Sequence, residues 1–255
     1  MDTLMRTIKL LLLAGILVAG LASKADAQGW QDRGYFHVSM GGQTQDQTFS
    51  ETGTFTIYGE KGALASGHSI GGGQLIDVSA GMRVWKSLGL GIAYSANKNT
   101  NPATVSVRVP HPVIFGQSRE ASATTPGLVH TENVVHLQFV WMMPLTSKFQ
   151  LMFMGGPSFF TVSQNIATVK APQDIRDQAP FTSTVTDVKA SPVGVNVCVD
   201  GTYAITRIAG IGIGVGGFVR YAGASLVLPT LAGTTRDGDL TAGGPQGGLG
   251  LRLRF

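Results

Sequence analysis

From Phe36 to the last residue the chain repeats one pattern, an apolar side chain followed by a small or polar one. In "VHLQFVW", Val135, Leu137, Phe139 and Trp141 alternate with His136, Gln138 and Val140. In "VGVNVCVD", Val193, Val195, Val197 and Val199 alternate with Gly194, Asn196, Cys198 and Asp200. "FHVSM", "LIDVSAGMRVW", "LGLGIAYS", "KFQLMFM", "IAGIGIGVGG" and "GLGLRLRF" do the same. Neighbouring side chains of a strand point to opposite faces, so a period of two predicts strands with one apolar face. The second face decides what surrounds them. A soluble sandwich carries charge on its outer face. Here that face is mostly Gly, Ser, Ala, Asn and Gln, and only 13% of the chain is charged, against about 25% in ordinary domains. Glycine, at 35 of 255 residues, is about twice its usual share. Such a face suits a crowded interior better than water, which turns the apolar face toward lipid. A bilayer tolerates no open sheet edge, so the sheet must close. The expectation is an all-β, antiparallel, up-and-down transmembrane β-barrel.

The first residues are consistent with export. Arg6 and Lys9 precede an uninterrupted apolar run from Leu10 to Ala22, and Ala25 and Ala27 form an A-x-A exit ahead of Gln28. These are the parts of a secretory signal peptide. The 13-residue run rises only about 20 Å as a helix, short of the ~30 Å bilayer core. Residues 1–27 are therefore expected to be cleaved, leaving a barrel domain of residues 28–255. The formal charge of +4 lacks the clustered basic face that nucleic acid demands. The single cysteine, Cys198, cannot form an internal disulfide.

Eight strands are expected near 34–48, 68–85, 88–97, 130–143, 148–163, 188–204, 208–227 and 241–255. The gaps alternate. Long ones near 49–67, 98–129, 164–187 and 228–240 predict external loops; short ones near 86–87, 144–147 and 205–207 predict periplasmic turns. "TFTIYGE", Thr54 to Glu60, extends a hairpin above the membrane or, with a second strand hidden in 101–116, makes a ten-strand barrel. Pro110 and Pro112 flank His111 and predict a projecting loop.

Parity places Asp77, Arg83, Asp200, Arg220, Arg252 and Arg254 inside, with His37, His136, Gln138 and Asn196. An eight-strand barrel is just wide enough for its side chains. The interior charges are therefore expected to pair in a polar network that fills the lumen. The alternating glycines at 210–216 offer room for arginines opposite. No cofactor or metal site is expected: the five histidines lack ligand spacings, and the glycine-rich stretches do not open a helix. The outward set of the last strand is Leu249, Leu251, Leu253 and Phe255.

The signal peptide, eight alternating strands, long and short connections and terminal phenylalanine together resemble the small outer-membrane β-barrels of the outer-membrane protein A and X type. The segments "VPHP", "HLQFVW", "GGPSFF" and "GLRLRF" are also similar to a bacterial family of barrels without assigned activity. The resemblance implies an outer-membrane address reached by the general secretory route; in a departure from outer-membrane protein A itself, no peptidoglycan-binding domain is expected after the barrel. It implies a recognition tag for the barrel-assembly machinery in Leu249, Leu251, Leu253 and Phe255. Periplasmic chaperones during biogenesis, and outer-membrane lipid and lipopolysaccharide afterwards, are the expected partners. A structural or surface-interaction role through the external loops is the leading expectation. A small passive channel is the alternative. A lipid-modifying enzyme using His37 and Ser39 is the second, weakened by parity, which turns both residues inward.

Overall fold

The computed structural model of the chain describes residues 32–169, 183–230 and 234–255. The predicted signal peptide and its cleavage site lie outside them. All regular structure described is strand: β1 (Gly34–Gln43), β2 (Gln47–Ile57), β3 (Glu60–Ile70), β4 (Gly73–Trp85), β5 (Leu88–Pro110), β6 (Ser118–Pro144), β7 (Phe149–Val169), β8 (Ser183–Ala190), β9 (Val193–Ile208), β10 (Ile211–Leu226), β11 (Thr234–Asp237) and β12 (Leu240–Arg254).

Eight of these close a ring of antiparallel pairs in the order β1–β4–β5–β6–β7–β9–β10–β12 and back to β1. The molecule is an up-and-down barrel, with eight strands rather than ten. Its seam is β1 against β12, from Tyr35 opposite Arg254 to Gln43 opposite Gln246. The Phe255 carbonyl accepts from the backbone N–H groups of Arg33 and Gly34 at 2.6 and 2.7 Å, so pairing runs to the terminal residue.

The remaining strands continue the wall beyond the ring. The β1–β4 pair passes, after a break, into the β2–β3 pair, which turns at Tyr58–Gly59. "TFTIYGE" is thus the extension of a hairpin. β5 and β6 pair from Leu88 opposite Trp141 up to Pro110 opposite Ser118. β3 adds to the upper part of β5, β11 adds to β2, and β8 adds to the top of β7. The predicted long connections are long, and largely stranded. Much of 98–129 is ladder because β3 gives "TVSVRV" a partner that no local pattern announces. His111 lies just past Pro110, in the tip loop. Residues 170–182, within the predicted third loop, lie outside the described residues.

The opposite end has short turns. One is at Ala209–Gly210, where φ is 49° and 85°, not at the predicted 205–207. Two successive positive φ angles suit a tight turn whose twist matches that of the strands, so β9 runs on to Ile208. Tyr58 and Gly59, with φ 55° and 77°, turn the β2–β3 hairpin the same way.

Burial follows parity around the ring. Val38, Met40, Ile76, Leu90, Ile92, Leu137, Phe139, Val195, Val197, Val219, Leu249 and Leu251 are exposed outward, while the residues between them face the lumen. A continuous apolar band of this kind would be untenable in water and is at home in lipid. Trp85, Trp141, Phe149, Tyr203 and Phe255 edge the band at the short-turn end. Tyr94, whose hydroxyl donates to Asn133 Oδ1 at 2.8 Å, and Tyr221 edge it at the other. Aromatic rings with a polar tip favour such boundaries.

Candidate functional site

The lumen is packed with side chains that sequence parity turned inward. Asp77 on β4 meets Arg220 on β10 in a buried ion pair. Arg220 Nη1 also donates to Ser95 Oγ at 2.9 Å, and Ser95 donates to Asp77 Oδ2 at 3.1 Å. Ser95 has one proton and gives it to Asp77, so the 2.8 Å contact with His136 Nε2 requires that nitrogen to donate. His136 Nδ1 lies 2.7 Å from Ser158 Oγ in a further hydrogen bond, and Ser158 accepts from Asn196 Nδ2 at 2.9 Å. Gln138 Nε2 closes the chain on Asn196 Oδ1 at 3.1 Å. The chain of hydrogen bonds spans five wall strands and reaches β10.

A second cluster lies toward the short-turn end. Arg252 on β12 donates from Nη2 and Nε to Asp200 Oδ2 at 2.7 and 3.1 Å, and from Nη1 to Ser39 Oγ at 2.8 Å. Thr202 Oγ1 donates to Asp200 Oδ1 at 3.1 Å. Gly216 makes room for this arginine: a Cβ there would stand 3.1 Å from Arg252 Cγ and 2.3 Å from the Gly201 carbonyl. Around both clusters pack Tyr35, Val140, Met142, Met152, Met154, Cys198 and Phe218. Tyr35 fits because Gly81 and Gly91 lack side chains; a Cβ on Gly91 would meet its hydroxyl at 2.3 Å.

The inward residues expected from the sequence therefore fall in different places. Asp77, Arg220, His136, Gln138 and Asn196 come together, and Asp200 joins Arg252. Arg254 is buried at the short-turn mouth, apart from both clusters' hydrogen bonds. Arg83 is partly exposed at that rim, its N–H donating to Arg33 O at 2.9 Å. Leu249, Leu251 and Phe255 face outward, with Leu253 partly exposed. His37 and Ser39 are both buried in the lumen, where the serine hydroxyl is held by Arg252.

Sequence reasoning missed a third cluster higher in the lumen. Glu132, fully buried, accepts from Gln43 Nε2 at 2.8 Å and from the Gly243 N–H at 3.1 Å, and contacts His130 Nε2 at 2.9 Å. Gln246 donates to Gln43 at 2.8 Å, and His130 Nδ1 meets Gln164 Oε1 at 2.7 Å. Glu132 has the parity of His136 and Gln138 on the same strand, and Ser95 that of Ala93. Extending the count would have found both.

Above the ring the wall changes character. Phe49, Ile70, Phe160, Val162, Ile166, Leu226 and Leu240 pack inside it, and Val105 with Leu128 and Ala167 lies higher. Arg236 on β11 pairs with buried Glu51 on β2 and donates to the Leu228 carbonyl at 2.6 Å, pinning the last long connection to the extension. His68 stacks on Phe49 with ring centroids 4.7 Å apart. Burial, then the Arg236 charge, lowers its pKa to about 4. The outer face of the same sheet is a row of hydroxyls: Thr48, Ser50, Thr52 and Thr54 on β2, Thr104 and Ser106 on β5. At the β5–β6 tip, His111 Nδ1 accepts from the N–H groups of Val113 and Ile114, and Glu60 accepts from Gly116 N–H at 2.7 Å. This ordered tip holds Val113 and Phe115 more than four-fifths exposed. Among the described residues no three His, Cys, Asp or Glu side chains group to hold a metal ion.

No protein-family model matches the chain. No curated protein sequence matches it either. Solved structures similar to it include Neisserial surface protein A (13% identity, 86% of this chain and 97% of that one, TM-score 0.41). Outer membrane protein OprG from Pseudomonas aeruginosa is another (12%, 90% and 99%, TM-score 0.42). Ail, the attachment invasion locus protein of Yersinia pestis, is a third (8%, 88% and 99%, TM-score 0.37).

Proposed function

We propose that the chain is an integral outer-membrane barrel that acts at the cell surface through the stranded extension above its ring. In this reading the short turns face the periplasm and the long hairpins face outward. The barrel is a rigid plug and mount; the hydroxyl-rich sheet face and the Val113–Phe115 tip are the contacting parts. The observation that carries the reading is the filled lumen, where two buried ion pairs and an apolar layer occupy the space a channel would need. Leu249, Leu251, Leu253 and Phe255 serve the assembly machinery, with chaperones escorting the exported chain. Once inserted, the outer band meets lipid and lipopolysaccharide.

Conductance of the chain reconstituted into planar bilayers is the test. The plug reading expects no reproducible single-channel steps, and stable steps would replace it with the passive channel. The lipid-enzyme reading is met by Ser39→Ala, which should leave cellular lipid composition unchanged; an altered lipid A or phospholipid profile would favour the enzyme.

A further inference from the structure

The short-turn mouth of the barrel holds a cavity of about 340 Å³ between the β6–β7 turn and the ends of β9, β10 and β12. Among the described residues four cations line it, Arg207, Arg252, Arg254 and Lys148, against one carboxylate, Asp32. Arg207 pairs with Asp32 at the rim, and Arg252 is committed to Asp200 behind the wall of the cavity. Among the described residues that line the cavity, Asp32 is the one carboxylate near Arg254, and it is already bonded to Arg207. Arg254 is 95% buried, yet neither Nε nor Nη2 has a hydrogen-bond partner among the described residues. A guanidinium presents five donors and cannot shed its charge, so burying it unmatched is costly. Gly212 lines the cavity between Arg254 and Arg207; a Cβ there would lie 3.6 Å from Arg254 Cβ and 3.7 Å from Arg207 Nη2. Arg207 and Arg254 thus line the same cavity, with no side chain between them at Gly212.

We infer that this mouth is a binding site for a small soluble oxyanion, a phosphate or carboxylate, held chiefly by Arg254 with Lys148 at the entrance. Oxyanions match guanidinium geometry and return to Arg254 the charge-assisted bonds that the protein withholds. The strand residues that line the cavity mostly have inward parity, so the ligand enters from water and not sideways from lipid. The lumen above is closed, which makes the site a blind pocket.

The test is calorimetric titration of inorganic phosphate into the folded chain in discs of neutral lipid, at constant ionic strength maintained with chloride. Saturable one-to-one binding is expected. Arg254→Gln should weaken it about tenfold, and Lys148→Glu, on an exposed turn outside the barrel wall, should weaken it severalfold. Arg108→Gln, at the other end of the molecule, should leave it unchanged. Absence of saturation in protein shown to be folded by its heat-dependent gel shift would overturn the proposal. So would affinity equal to that of the unsubstituted chain in both mouth variants. Repeating the titration in discs containing phosphatidylglycerol separates the sources. An unchanged midpoint supports a soluble ligand; a weakened one would mean that lipid headgroups occupy the site and would overturn the assignment to a soluble ion.

Discussion

Below Lys98, strand β5 turns Leu90, Ile92 and Tyr94 outward and Ala93, Ser95 and Asn97 inward; above Pro102 it turns Thr104, Ser106 and Arg108 outward and Val105, Val107 and Val109 inward. The parity never slips. Only the chemistry changes sides. In the lower half the outside is lipid, so apolar groups leave the interior and the interior must satisfy its own charges. In the upper half the outside is water, and the ordinary soluble rule returns. Strand geometry alone therefore does not say which face is the core. The solvent does, and the place where the pattern inverts marks the edge of the bilayer.

The two halves should break differently. The largest effect is expected inside the lower lumen. Asp200→Ala strands the Arg252 guanidinium in a site with no other carboxylate bonded to it and should cost about 3–5 kcal/mol, read by urea unfolding in lipid. Next comes the lipid face: Val197→Arg, inside the apolar band but toward its outer edge, should cost about 1–3 kcal/mol, since a lipid-facing arginine costs about 2–4 kcal/mol at the midplane and less toward the interfaces. The upper half is sensitive to acid instead. His68 holds its proton only below about pH 4 when folded, against an ordinary value of 6.5. Unfolding lets it take up a proton between those values. The extension should therefore keep its stability above about pH 6.5 and lose at most about 3 kcal/mol as pH falls toward 4. Hydrogen exchange in β2 and β3 should quicken over that window, and His68→Gln should abolish the dependence. The smallest effect separates the halves most plainly. Ser106→Arg, outward on the same strand type as Val197 but above the inversion, should change stability by no more than about 0.5 kcal/mol.

Much of the lower half was legible because alternation is a local signal. Asp77, Arg220, Asp200 and Arg252 were all placed inward from neighbours a few residues away. What local parity cannot state is who meets whom across the lumen. Asp77 and Arg220 are 143 positions apart, and closure of the ring is what brings them together. The extension reads as loop in the sequence for a related reason. "NKNTNP" interrupts the apolar alternation on β5, and beyond it the sign of the pattern is reversed. A reader tuned to lipid-facing strands sees a break where the strand continues into water. The Ala209–Gly210 turn was misplaced because a non-glycine residue with positive φ gives little signal in sequence. Tyr35 went unread because the glycines that receive its ring, Gly81 and Gly91, sit on other strands.

The inversion along β5 is most directly tested by site-directed spin labelling from Leu88 to Val109 in a Cys198→Ser background, with oxygen and a nickel chelate as lipid-phase and water-phase relaxants. The account predicts that labels at Leu90, Ile92 and Tyr94 favour oxygen, that labels at Thr104, Ser106 and Arg108 favour nickel, and that the switch falls between Lys98 and Pro102. Oxygen-dominated labels at 104–108, or nickel-dominated labels at 90–92, would contradict it.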